Sequence, residues 1–127
     1  MAVEAAHLLK AKSNREFLDT IEDRYPEWLV TVAFYTSVHL VEAVFARENF
    51  HSHGHVERNE RLQDFYEKLW NEFKPLYDQS VLVRYSPRGI SAKEARELIE
   101  TRLGELQRLV QVRLSAPAAS ATITKKA

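Results

Sequence analysis

Apolar residues recur along this chain at helical spacing, and three glycines and four prolines are too few to cut it into strands and turns. Residues 3–22 are rich in Ala, Leu, Glu and Lys, which favour helix. "DRYPEW" interrupts that run, and Pro26 suits the first turn of a second helix, where its missing N–H costs nothing. From Glu27 to Glu48 neither Gly nor Pro intervenes. Trp28, Leu29, Val30, Val32, Phe34, Val38, Leu40, Val41, Val44 and Phe45 surround most of that stretch, which predicts a central helix packed on several sides. It is far too long for a strand.

Leu62, Phe65, Tyr66, Leu69, Trp70 and Phe73 fall at i, i+3, i+4, i+7, i+8 and i+11, predicting a third helix with one apolar stripe. Pro75 then opens a short segment, "PLYDQSVLVRY", in which Tyr77, Ser80, Val81 and Arg84 share a face. "SPRG" predicts a turn. Ser91 and Glu94 stand at capping-box spacing and start a last helix, with Ala95, Leu98, Ile99, Leu103, Leu106, Leu109 and Val110 as its stripe. Beyond Leu114 the residues are small and polar without period, so 115–127 is expected to be a disordered tail and 1–114 a single domain. The predicted architecture is all-α: an antiparallel, up-and-down four-helix bundle with one additional short helix.

Composition narrows the function classes. The 127 residues are 45% hydrophobic and 28% charged, with a formal net charge of zero. No global field therefore draws in nucleic acid or anionic membrane, and any such binding must come from a local patch. The absence of cysteine excludes disulfides and thiolate metal sites. The charged N-terminus is unlike a signal peptide, and no stretch is expected to reach the roughly 18 apolar residues of a membrane span. A cytoplasmic location with no membrane association follows as the expectation.

The chemistry concentrates in "HSHGHVERNERL", residues 51–62. Three alternating histidines are candidate zinc ligands, but in an extended segment adjacent imidazoles strain to converge, and in a helix only His51 and His55 share a face. With no cysteine and only Glu57 as a nearby carboxylate, no metal and no cofactor are expected. The helical stripe offers more. Extended backwards from Leu62 at about 100° per residue, it takes in Arg58 and His55, puts Asn59 at its edge and points Arg61 to solvent. Polar groups on a buried stripe need partners. Thr31, Tyr35, His39 and Glu42 form a polar seam on the central helix that can supply them, as can Arg84 with Tyr85. A cavity joining His55, Arg58, His39, Glu42 and Arg84 is one reading; a buried hydrogen-bond network tying the loop to the bundle is the other.

"FYTSVHLVEA", the His-x-x-Arg-Asn of His55, Arg58 and Asn59, and the Ser-x-x-x-Arg-Tyr of Ser80, Arg84 and Tyr85 together resemble the HEPN domain family, over roughly residues 1–114. The resemblance implies an antiparallel helical bundle that pairs side by side as a homodimer. It implies a metal-independent endoribonuclease of prokaryotic defence or toxin–antitoxin systems, or a non-catalytic partner of a nucleotidyltransferase. Catalytic members carry an Arg, a polar residue and a His four to six residues after the Arg, near the start of the last helix. Here no histidine follows Arg84, and the matching spacing is Arg47, Glu48 and His53 at the end of the second helix.

Two functions follow. In the first, an RNA-cleaving or nucleotide-binding protein uses His55 or His39 as base and Arg58 and Arg84 to hold phosphate charge, with Asn59, Tyr85, Arg47, His53 and Glu42 lining the substrate site. In the second, a non-catalytic dimerising module keeps the same His/Arg cluster as a structural network.

Overall fold

A computed structural model describes residues 2–116, the side chain of Ala2 excepted; the predicted tail lies outside the described residues from position 117 onward. The chain is all-helical, with no strand among the described residues. Its helices are α1 (Ala2–Leu18), α2 (Pro26–Arg47), α3 (His55–Phe65), α4 (Glu67–Tyr85), α5 (Ala92–Leu98) and α6 (Gly104–Ser115), the last two joined by a π-helical turn, Ile99–Leu103.

The apolar surround of α2 makes it the hub. It packs against α1, α4, α5 and α6. Phe34, Phe45, Leu29, Val30, Val41 and Val44 of α2 meet Leu18, Leu62, Phe73, Leu76, Leu103 and Leu106 in one fully buried core. The expectation that no stretch matches a membrane span needs correction: α2 has the length and apolarity to cross one, although 78% of its most apolar window is buried inside the domain. Packing on several sides gives the same composition as a lipid-facing helix.

Two predicted boundaries move. The apolar stripe from Leu62 to Phe73 does not belong to one helix, because the backbone breaks at Tyr66 (φ −138°, ψ 60°). Tertiary packing overrides the period there. The buried Tyr66 ring lies 5.6 Å from Phe45 and under the Arg113 guanidinium, and its hydroxyl donates to Glu48 at 3.3 Å. Pro75, expected to open a short helix, instead lies inside α4. Leu69, Phe73, Leu76 and Ser80 are all buried at i, i+4, i+7 and i+11, so the core stripe carries the helix through the residue that lacks an N–H.

The last helix has the expected capping box: Glu94 N donates to Ser91 Oγ and Ser91 N to Glu94 Oε1, each at 3.1 Å. Its π turn answers a feature of the stripe. Ala95, Ile99 and Leu103 are buried at two consecutive four-residue steps, which in an α-helix drift about 80° off one face. A wider turn between Ile99 and Leu103 keeps both residues on the core.

The end of α2 sets up the histidine loop. Asn49 takes a left-handed conformation (φ 59°), and Phe50 N returns to Phe45 O at 3.0 Å. Phe50 then packs edge-on against Phe45, ring centres 5.5 Å apart, the hydrophobic contact that accompanies such helix ends. This reversal turns residues 51–54 back along α2 and starts α3 at His55.

Candidate functional site

Glu42 is the centre of the polar cluster. It sits on α2 with 3% of its surface exposed. Arg58 of α3, itself buried, donates Nε to Glu42 Oε2 at 2.9 Å. Ser52, buried in the loop between them, also donates its hydroxyl to Oε2. The other carboxylate oxygen, Oε1, is buried without a hydrogen-bond partner. The inward turn of Arg58 follows from the helical period read back from Leu62, and Glu42 is the acceptor that turn requires.

Arg58 has a second contact. Its Nη1 lies 3.0 Å from His55 Nδ1. A guanidinium only donates, so Nδ1 must accept, and the neutral imidazole then carries its proton on Nε2. His55 is exposed as a residue, yet its ring stands 5.8 Å from both Phe34 and Tyr77, which desolvate part of it. Partial burial, then the charges of Arg58 and Arg84, push its pKa below the ordinary 6.5. His55 is therefore a neutral N–H donor at pH 7, not a free base.

On the α1 side, His39 Nδ1 and His7 Nδ1 lie 2.9 Å apart. Burial pushes both below the ordinary histidine value. Glu42 opposes the shift in each; for His39 the neighbouring His7 and Lys10 add to it. His7 and His51 each bring a ligand atom close to Glu42, the three atoms lying within 4.8 Å of one another. The expectation that the histidines lack a converging carboxylate is thus corrected. The alternating trio does not gather, but His51 joins His7 and Glu42 from two other elements.

Several candidates stand apart. Arg47 donates Nε and Nη2 to the two oxygens of Glu4, each at 2.9 Å, and Nη1 to the carbonyls of Leu114 and Ala116. It ties α1 and α6 to the end of α2, raising its own pKa and lowering that of Glu4. His53 is exposed and pairs with Glu57, whose Oε1 accepts its backbone N–H at 2.8 Å and meets its ring at 3.1 Å. Arg47 and His53 therefore form no shared Arg–His constellation. Tyr85 is 78% exposed, with the Arg84 guanidinium over its ring. Asn59 keeps Oδ1 buried and unpartnered. Of the α2 seam, Thr31 bonds its own helix at Glu27 O, and both Thr31 and Tyr35 line a separate aromatic groove with Trp28. Arg61, expected in solvent, instead lays its guanidinium 3.8 Å from the Phe50 ring centre, with Phe45 and Phe65 nearby.

His7 and Ser52 are site residues that the sequence reading missed. His7 was detectable, since it precedes the buried Ala11 and Leu18 at i, i+4 and i+11 and so shares the inward face of α1. Ser52 had no such signal, because its position depends on the loop reversal at Asn49. Compared with protein-family models, with curated proteins and with solved structures, the chain matches none.

Proposed function

We propose that this chain is a HEPN-like domain, an antiparallel four-helix bundle, that binds the phosphate groups of RNA or a nucleotide at the face presented by His55 and Arg84. The observation that carries this reading is the 3.0 Å contact from Arg58 Nη1 to His55 Nδ1. It leaves Nε2–H as the donor of the exposed His55, within the electrostatic reach of the exposed Arg84, a pairing suited to an anionic oxygen. Beneath it, Glu42 and Ser52 fix Arg58, so the donor is held before ligand arrives.

The same contact weighs against RNA cleavage with His55 as base. Nδ1 is occupied and Nε2 is protonated, so taking a proton from a 2′-hydroxyl would first require the Arg58 bond to break. Binding without cleavage is the better account. The setting proposed is that of the family resemblance: a cytoplasmic component of a prokaryotic defence or toxin–antitoxin system, alone or beside a nucleotidyltransferase.

We also propose that the chain pairs with a second copy. The groove formed by Phe17, Ile21, Tyr25, Trp28, Val32 and Tyr35 leaves Trp28 60% and Phe17 54% exposed. Glu22 of the groove pairs with Arg24 at 2.8 Å, so both signs of charge stand beside the aromatic surface, which suits a two-fold contact of this face with itself.

The test is fluorescence anisotropy with labelled single-stranded RNA and with labelled ATP, followed by electrophoresis of the RNA. Binding at micromolar protein, at least about tenfold weaker in Arg84→Ala and His55→Ala and unchanged in Arg108→Ala, with the RNA left intact, is the expected result. Binding that ignores both substitutions would dismiss the site. RNA cleavage lost in His55→Ala would restore the catalytic reading.

A further inference from the structure

Two elements each bring one metal-ligating side chain to the buried carboxylate of Glu42 on a third. His7 comes from α1, Glu42 from α2 and His51 from the loop before α3, with their ligand atoms within 4.8 Å of one another. Glu42 Oε1 is the second observation. Arg58 and Ser52 both take Oε2, and Oε1 is left buried with no partner. A desolvated carboxylate oxygen without a donor costs free energy, and a cation is the partner that would remove that cost.

The surroundings of the other two ligands agree. His7 has Nδ1 committed to His39, leaving Nε2 as the nitrogen that can face an ion. A ligating histidine commonly passes its other N–H to an acceptor, and His39 Nδ1 stands in that place. His51 is exposed, its ring centre 5.7 Å from that of His53 in an edge-to-face arrangement, so its imidazole borders solvent. In a tetrahedral site with bonds of about 2.0–2.1 Å the ligand atoms stand roughly 3.3 Å apart. Ligand atoms within 4.8 Å of one another need to close by at most about 1.5 Å, a movement within reach of the exposed His51 side chain.

We propose that His7, Glu42 and His51 bind one divalent transition-metal ion of the zinc type through two imidazole nitrogens and Glu42 Oε1, with the fourth position open to water. Two nitrogens and one oxygen suit zinc; magnesium and calcium favour all-oxygen shells. Arg58 remains on Oε2, so the ion meets a carboxylate already partly neutralised, and micromolar affinity is expected. The ion would clamp α1 and α2 to the loop that leads into His55. The inference does not depend on phosphate binding, since neither Arg84 nor His55 enters it.

The experiment is calorimetric titration of the chelator-stripped full chain, free of any polyhistidine tag, with Zn2+, alongside Co2+ absorption and thermal unfolding. One ion per chain, visible bands of four-coordinate Co2+ and a raised unfolding midpoint are expected. His51→Ala, which removes an exposed side chain, should weaken binding at least about tenfold while unfolding like the ion-free parent. His7→Ala should weaken it likewise, and His53→Ala should leave it unchanged. No stoichiometric binding, or loss governed by His53 with His7 or His51 dispensable, would overturn the proposal. Phosphate binding fails separately, through Arg84→Ala.

Discussion

Replacing Arg58 with alanine removes the guanidinium that neutralises Glu42, a carboxylate only 3% exposed. The pair contact is 2.9 Å, with side chains 11% and 4% exposed, so solvent cannot take over the lost partner. Breaking one side of such a pair costs about 3–5 kcal/mol. Ser52 still donates to Glu42, which points to the lower end, about 3 kcal/mol. That is a large share of the roughly 5–15 kcal/mol that holds a domain folded. Urea unfolding at neutral pH with a chelator present should show it. With a slope of about 1–3 kcal/mol/M, the midpoint should fall by at least about 1 M. The double variant Glu42→Leu/Arg58→Met, which removes both charges at similar volume, should recover to within about 2 kcal/mol of the parent. A loss below about 1 kcal/mol in Arg58→Ala would refute the claim that the pair is buried and mutually dependent.

Arg61→Ala should cost about 1 kcal/mol in the same assay, because its guanidinium covers Phe50; a neutral result would deny that stacking. Tyr66 has its pKa pushed up to about 12 by burial and by Glu48. The unfolded chain releases this proton near the ordinary value of 10.0 while the folded chain keeps it, so stability should fall as pH rises through that window. The slope is about 1.4 kcal/mol per pH unit, and Tyr66→Phe should flatten it in urea titrations above about pH 10. His55, lowered from 6.5, works at the acid side. Below 6.5 the unfolded chain takes up a proton that the folded chain refuses, so stability declines as pH falls toward the folded midpoint. Arg84→Ala should raise that midpoint in an NMR titration; no movement would remove Arg84 from the site. Light scattering at micromolar concentration should give the mass of two chains, and Trp28→Ser the mass of one.

What the sequence disclosed depended on how local the cause was. The all-helical class, the central role of α2 and the Ser91–Glu94 cap rest on spacing within one element, and each was legible. So was the inward turn of Arg58, because α3 keeps one helical period from His55 to Leu62. The break at Tyr66 was not, since its cause is the ring's packing on Phe45 and Arg113, from elements distant in sequence. Arg61 projects outward on a helical wheel, but the reversal at Asn49 places Phe50 beneath it. The π turn did leave a trace, in the two four-residue steps from Ala95 to Leu103. The spacing of His7 with Ala11 and Leu18 marks it as inward-facing, but its partners were not legible, because only the pairing of α1 with α2 brings it to His39 and Glu42.

The central claim is that Arg58 holds His55 as a neutral donor aimed at phosphate. Side-chain nitrogen NMR of His55, recorded at neutral pH before and after adding single-stranded RNA, tests it most directly. The expected spectrum has the proton on Nε2, Nδ1 unprotonated in the bond from Arg58, and a shift of the Nε2–H signal on binding while the RNA stays intact. A proton on Nδ1, a doubly protonated ring, or an Nε2–H signal indifferent to RNA would contradict the account.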